Sequence, residues 1–193
     1  TSISEKCFAF VTSESWNLDK RELKIYKLDL ENYVLSNIVV KVPTSLKILQ
    51  CPSIALSDSF LLMQDDYNLN WFLFKLVYGE FRLLEQIEMP LNTMAFNCRV
   101  VSSGFFLMTD IYNHHPYDKV KNTSLAIYNA SERKFLKVIH PEIPCIGLSH
   151  FPQKWITNSK EYIALAEPCG NQVLLFDKSL TLIKTLKLPV SEN

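Results

Sequence analysis

The chain has 193 residues, 48% of them hydrophobic and 21% charged, with Lys plus Arg and Asp plus Glu both totalling 20. This excludes a disordered chain and is enough for one domain with a sizeable core. A balanced charge lacks the cationic excess of a general nucleic-acid or acidic-lipid binder, and no run nears the roughly 20 apolar residues of a membrane helix.

Taken in chain order, the apolar runs are short and bounded by polar turn residues, which predicts strands and not helices. The first unit holds runs at residues 7–11, 23–26 and 38–42 and closes on Pro43. The second holds runs around 47–56, at 60–63, 72–74 and 85–89, and closes on Pro90. In the third they lie at 98–102, 105–108, 125–128 and 135–140, before Pro141. The fourth has them at 143–149, 162–166, 173–176 and 185–188, before Pro189. The four prolines are separated by 47, 51 and 48 residues, the period of stacked sheet units. Proline after the last strand of each unit fits, because it lacks an N–H and is tolerated at the end of an edge strand. Aromatic residues at 12% and only four glycines favour pleated, half-buried strands.

Each unit therefore predicts strands a, b, c and d, with tight polar c–d turns at 29–33, 77–80, 129–134 and 177–180. The expected architecture is all-β and propeller-like: one domain over 1–193, with four units of three to four antiparallel strands at about 1–43, 44–90, 91–141 and 142–189. Only six residues precede strand b of the first unit, which leaves little or no room for its inner strand, and four follow Pro189. That favours an incomplete ring, part of a larger propeller or one completed by a second chain or copy, over a self-contained four-unit disc.

The ends of the c strands carry a resemblance. Phe176-Asp177, and more loosely Tyr128-Asn129, are similar to the aromatic–aspartate pair of the tryptophan–aspartate repeat class of β-propellers. Tyr26-Lys27 and Phe74-Lys75 depart from that pair, and the class's opening Gly-His is absent. The resemblance spans nearly the whole chain at superfamily level and transfers no functional residues. A Kelch-type repeat fits less well, since its double glycine is missing.

The b–c connections are the longest and most varied segments, and in an antiparallel unit they emerge on one face of the ring together with the d–a connections. Trp16, Tyr67, Tyr112 and Tyr117 fall there among Asp and Asn residues, and large aromatics at polar loop tips are the usual anchors of protein interfaces. The competing structural role is that these rings fold back over the sheet below. His114 and His115, flanked by Asp110 and Asp118, form the one loop cluster with metal-ligand chemistry, but without ligand spacing they read as a solvated turn. Cys51, Cys98 and Cys145 recur at 47-residue intervals near inner strands, where thiols could meet on the channel. Small buried apolar side chains explain them better.

An odd count of five cysteines without Cys-x-x-Cys points to reduced thiols in an intracellular protein. Asp65-Asp66 reads as a solvated acidic pair. Lys119, Lys121, Arg133, Lys134 and Lys137 are split between opposite faces, which argues against a nucleic-acid surface. No nucleophile elbow, zinc-protease or phosphate-loop motif occurs. The expectation is a non-enzymatic protein–protein interaction scaffold or adaptor subunit of an intracellular complex, with no cofactor, no metal and no membrane, its partner possibly completing the open blade. The alternative is a propeller enzyme or a small-ligand or metal binder using the central channel.

Overall fold

The computed structural model describes residues 2–4, 7–47, 53–65, 70–89, 93–113, 124–139, 155–158, 161–167, 172–187 and 189. They form four antiparallel sheets, each built from strands consecutive in the chain. The first contains β1 (Ser2–Ser4), β2 (Cys7–Phe10), β3 (Trp16–Asn17), β4 (Glu22–Asp29) and β5 (Leu35–Lys41). The second runs β6 (Ile54–Leu56), β7 (Phe60–Gln64), β8 (Trp71–Val77) and β9 (Glu80–Gln86). The third runs β10 (Thr93–Ser102), β11 (Phe105–Asn113), β12 (Ser124–Asn129) and β13 (Lys134–Ile139). The fourth runs β14 (Trp155–Asn158), β15 (Tyr162–Glu167), β16 (Gln172–Asp177) and β17 (Leu182–Lys187).

Three details depart from the expected strand map. The six residues before β2 do hold an inner strand: Ser2 pairs with Phe8 and Ser4 with Cys7, across a register shift. Three residues suffice because β1 needs only one paired edge. It also lies against β6 and β10, so the inner strands of the first three units converge. The first strand of the fourth sheet is Trp155–Asn158; residues 143–149, expected to supply it, lie outside the described residues. Finally, β10 and β11 form a longer hairpin than expected, pairing from Ser102↔Phe105 out to Thr93↔Asn113. The β-branched and aromatic residues Thr109, Ile111 and Tyr112 favour that extension.

Strand alternation gives every sheet two faces, and the apolar residues of facing sheets meet in three layers. Between the first and second sheets lie Leu23, Ile25 and Val40 with Leu61, Met63, Phe72 and Phe74. Leu62, Trp71 and Leu73 meet Cys98, Phe106, Met108 and Tyr128 between the second and third. Leu107, Leu125 and Ile127 meet Ile163, Leu165, Leu174 and Phe176 between the third and fourth.

The c strands show the logic residue by residue. Phe74, Tyr128 and Phe176 each point to the preceding sheet and are at most 2% exposed. Ile25, Leu73 and Ile127 point to the following one and are at most 4% exposed. The pattern breaks at the two ends. Tyr26 sits at the aromatic position of the first sheet and Leu175 at the aliphatic position of the last, and both are only half-buried. Among the described residues, no hydrophobic cluster joins the fourth sheet to the first. Radially stacked antiparallel sheets, one of five strands and three of four, with an unclosed ring make this an incomplete β-propeller.

Candidate functional site

Antiparallel pairing puts the b–c and d–a connections at one rim of the stack and the a–b and c–d turns at the other. The b–c rim was the expected docking face. Of its four aromatics, Tyr67 and Tyr117 lie outside the described residues. Tyr112 is on β11 opposite Met94 and not in a loop.

Trp16 is the one whose side chain is described. A short 3-10 turn at Ser13–Ser15 brings the chain back so that β3 pairs with β4, Trp16 opposite Leu23. This carries the indole against the first hydrophobic layer, half-buried. The Arg21 guanidinium covers its exposed side, 5.7 Å from the ring centroid.

Arg21 is also a clasp. It takes a left-handed backbone, φ 51°. Its Nε donates to the Val42 carbonyl at 3.1 Å, and Nη2 donates to the carbonyls of Pro43 at 2.6 Å and Leu46 at 2.7 Å. The planar fork suits three converging carbonyls. A second clasp grips the same crossover from the next sheet: Asp65 Oδ2 accepts from the Lys47 backbone N–H at 2.9 Å. Asp65 is therefore buried, contrary to its expected solvation; Asp66 lies outside the described residues. These polar groups at the b–c rim fasten the first two sheets to each other.

The c–d rim has a different character, and sequence reasoning passed over it. Tyr33 and Tyr78 are 81% and 97% exposed, at the c–d turns of adjacent sheets. Both have left-handed backbones, φ 56° and 50°, a conformation that costs an L-residue roughly 1–2 kcal/mol. The chain thus holds two large rings in solvent, at positions where Gly or Asn would be cheaper. Leu30, Val34 and Leu35 add exposed apolar surface beside Tyr33, and β5 and β9, which leave the two turns, touch. The signal in the sequence was Tyr78-Gly79, a bulky residue inside a two-residue turn.

Two turns at this rim are braced by an aspartate. Asp29 accepts from the backbone N–H groups of Glu31 at 2.8 Å and Asn32 at 3.2 Å, which hold its carboxyl below the usual range. Asp177 plays the same part in the last sheet, accepting from Ser179 Oγ at 2.7 Å and the Thr181 N–H at 2.8 Å, with its acidity strengthened by that hydroxyl first. Between the second and third sheets, Tyr128 Oη donates to Glu85 Oε1 at 2.8 Å while Arg133 Nη1 donates to Glu85 Oε2 at 3.3 Å. Burial, and then that carboxylate, push the Tyr128 phenol up.

Of the three recurrent cysteines, one is described. Cys98 is buried in the second hydrophobic layer, which raises its thiol pKa; Cys51 and Cys145 lie outside the described residues, as do His114 and His115. No group of three or more His, Cys, Asp or Glu able to hold a metal ion occurs among the described residues. No described helix is long and apolar enough to cross a membrane.

No family model matches the chain, and no curated protein sequence matches it. Solved structures do. The chain is similar to the WD40 domain of Toxoplasma gondii coronin, at 9% identity and a TM-score of 0.55 over 96% of this chain and 44% of that one. It is similar to the Dos1 propeller at 15% identity and a TM-score of 0.49, over 84% of this chain and 41% of that one. A third is the β-propeller domain of Cps50 (Swd1) from Myceliophteria thermophila, at 10% identity and a TM-score of 0.49, covering 98% of this chain and 58% of that one. The chain thus spans about half the length of these propellers. The coronin likeness concerns the fold alone.

Proposed function

We propose that this chain is a protein–protein interaction module, a scaffold or adaptor subunit of an intracellular multiprotein complex, whose four units over 1–193 act as one domain. The observation that carries the reading is the pair Tyr33 and Tyr78, 81% and 97% exposed at the c–d turns of adjacent sheets, beside the exposed apolar residues Leu30, Val34 and Leu35. Exposed tyrosines beside aliphatic surface suit a partner's apolar anchors. The opposite rim, with Trp16, Tyr67, Tyr112 and Tyr117, is a second docking surface on the sequence pattern of large aromatics among Asp and Asn residues, and a partner that completes the open ring is a third. The clasps at half-buried Arg21 and buried Asp65 support a rigid platform, and rigid platforms lose little entropy on binding.

Affinity capture followed by mass spectrometry tests this with three baits: wild type, Tyr33→Ala/Tyr78→Ala and Tyr67→Ala/Tyr117→Ala. Loss of a specific protein partner from either double variant, at unchanged circular dichroism, is the expected outcome. Equal recovery with all three baits contradicts docking at both rims.

A further inference from the structure

The c–d turns of the first two sheets bring exposed apolar surface and acid together. Tyr33 and Tyr78 project into solvent there, and Leu30, Val34, Leu35 and Leu76 beside them are between 37% and 57% exposed. The turns that hold the tyrosines, residues 29–35 and 77–80, and the a–b turn at 57–59 contain Asp29, Glu31, Asp58 and Glu80 and no lysine or arginine. In a chain of zero net charge that is a local acidic excess. The a–b turn belongs to the same surface, because the Leu76 N–H donates to the Ser59 carbonyl at 2.8 Å. Contact between β5 and β9 joins the two sheets. Glu31, Asp58 and Glu80 are exposed. Glu80 lies 3.8 Å from Arg82, with both side chains more than half exposed; such a surface pair contributes little, so the carboxylate can turn to a partner's cation.

We infer that this patch binds a basic polypeptide segment of a partner protein, with arginines stacked on Tyr33 and Tyr78 among Glu31, Asp58 and Glu80, and with aliphatic residues on the leucines and valine beside them. This rests on the reading of the c–d rim as a docking surface and gives that surface a partner chemistry; docking at the b–c rim is independent of it. A cation over an aromatic face is attracted by the ring's quadrupole, and arginine is found there more often than lysine. The guanidinium adds planar stacking and bidentate pairing with carboxylates. The chain already makes this contact within itself, with Arg21 over the Trp16 ring at 5.7 Å.

The charge pattern selects among occupants. Nucleic acid or an anionic membrane would bring negative charge against four carboxylates. A purely apolar partner would cover those carboxylates without a compensating cation, which is costly. A second copy using the same patch would make an isologous contact and set the acids of one molecule against those of the other. A basic segment satisfies both the rings and the acids, and complementary charge also steers the encounter.

Panning a displayed library of random peptides on the immobilised chain, with Tyr33→Ala/Tyr78→Ala as the counter-selection bait, tests the inference. Peptides retained by wild type alone are expected to be enriched in arginine or lysine next to aliphatic residues. Synthesised and labelled, they should bind the tyrosine double variant about tenfold more weakly. Glu31→Gln/Asp58→Asn/Glu80→Gln should bind them at least about threefold more weakly, with a shallower dependence on salt. All five positions are exposed, so both variants should keep the circular dichroism of wild type. Tyrosine-dependent peptides without basic residues, or equal binding by the charge variant, overturn the inference and leave docking at this rim standing. Absence of any tyrosine-dependent peptide overturns docking at this rim as well. Dimerisation of wild type that Tyr33→Ala/Tyr78→Ala abolishes, seen by light scattering, would assign the patch to a second copy and overturn the basic partner.

Discussion

At the scale of single residues, polar side chains in the described structure mostly tie segments together. Arg21 shows why this was hidden in the sequence. Its role depends on a left-handed φ and on three carbonyls 21 to 25 positions away, and neither leaves a local signature. Trp16 was visible as a loop aromatic, but the two-residue β3 that turns it onto the first layer was too short to read from alternation. Arg21→Lys keeps the charge and loses the fork. It should lower unfolding free energy by about 2 kcal/mol, since carbonyls left without a donor cost roughly 1–3 kcal/mol. Urea unfolding measures the loss; a change below about 0.5 kcal/mol would remove the clasp assignment.

At the scale of elements, the c–d turns were the most legible parts, because turn chemistry is local: Asp at 29 and 177 and Gly79 each announce a chain reversal. What the sequence could not give is which turn residues face solvent. Leu180 and Tyr33 both take a left-handed backbone, yet Leu180 is buried in the third layer and Tyr33 is exposed. The difference lies in what the neighbouring sheet supplies. The first strand of the fourth sheet was missed for a related reason: Trp155–Asn158 has no clear alternation, whereas residues 143–149 looked apolar enough to pair.

Turn 177–181 also sets a pH dependence. The Asp177 carboxylate is stabilised in the folded state, chiefly by Ser179 and then Thr181, so its pKa falls below the ordinary 3.8. The contribution to stability is therefore present above 3.8 and fades as pH drops through the lowered folded value. Asp177→Ala should melt below wild type at neutral pH, and the gap should shrink at pH values under 3.8. A gap that widened in acid would contradict the assignment of the stabilising form to the carboxylate.

At the scale of the whole molecule, periodicity was the strongest signal. The prolines and c-strand aromatics recur because each unit meets the same packing problem, namely a sheet with two apolar faces. Four sheets yield three layers. The two end faces follow from the same arithmetic, and no single unit's sequence reveals them.

The most direct test of this stacking replaces the equivalent c-strand aliphatics with Asp, one at a time, and records chemical unfolding of each monomer in dilute solution. Ile25, Leu73 and Ile127 lie inside the three layers, where an unpaired charge costs several kcal/mol. Those three variants should lose cooperative unfolding, and Leu175→Asp, half-buried and outside the hydrophobic layers of the described residues, should keep it. Equal damage at all four positions would contradict the account.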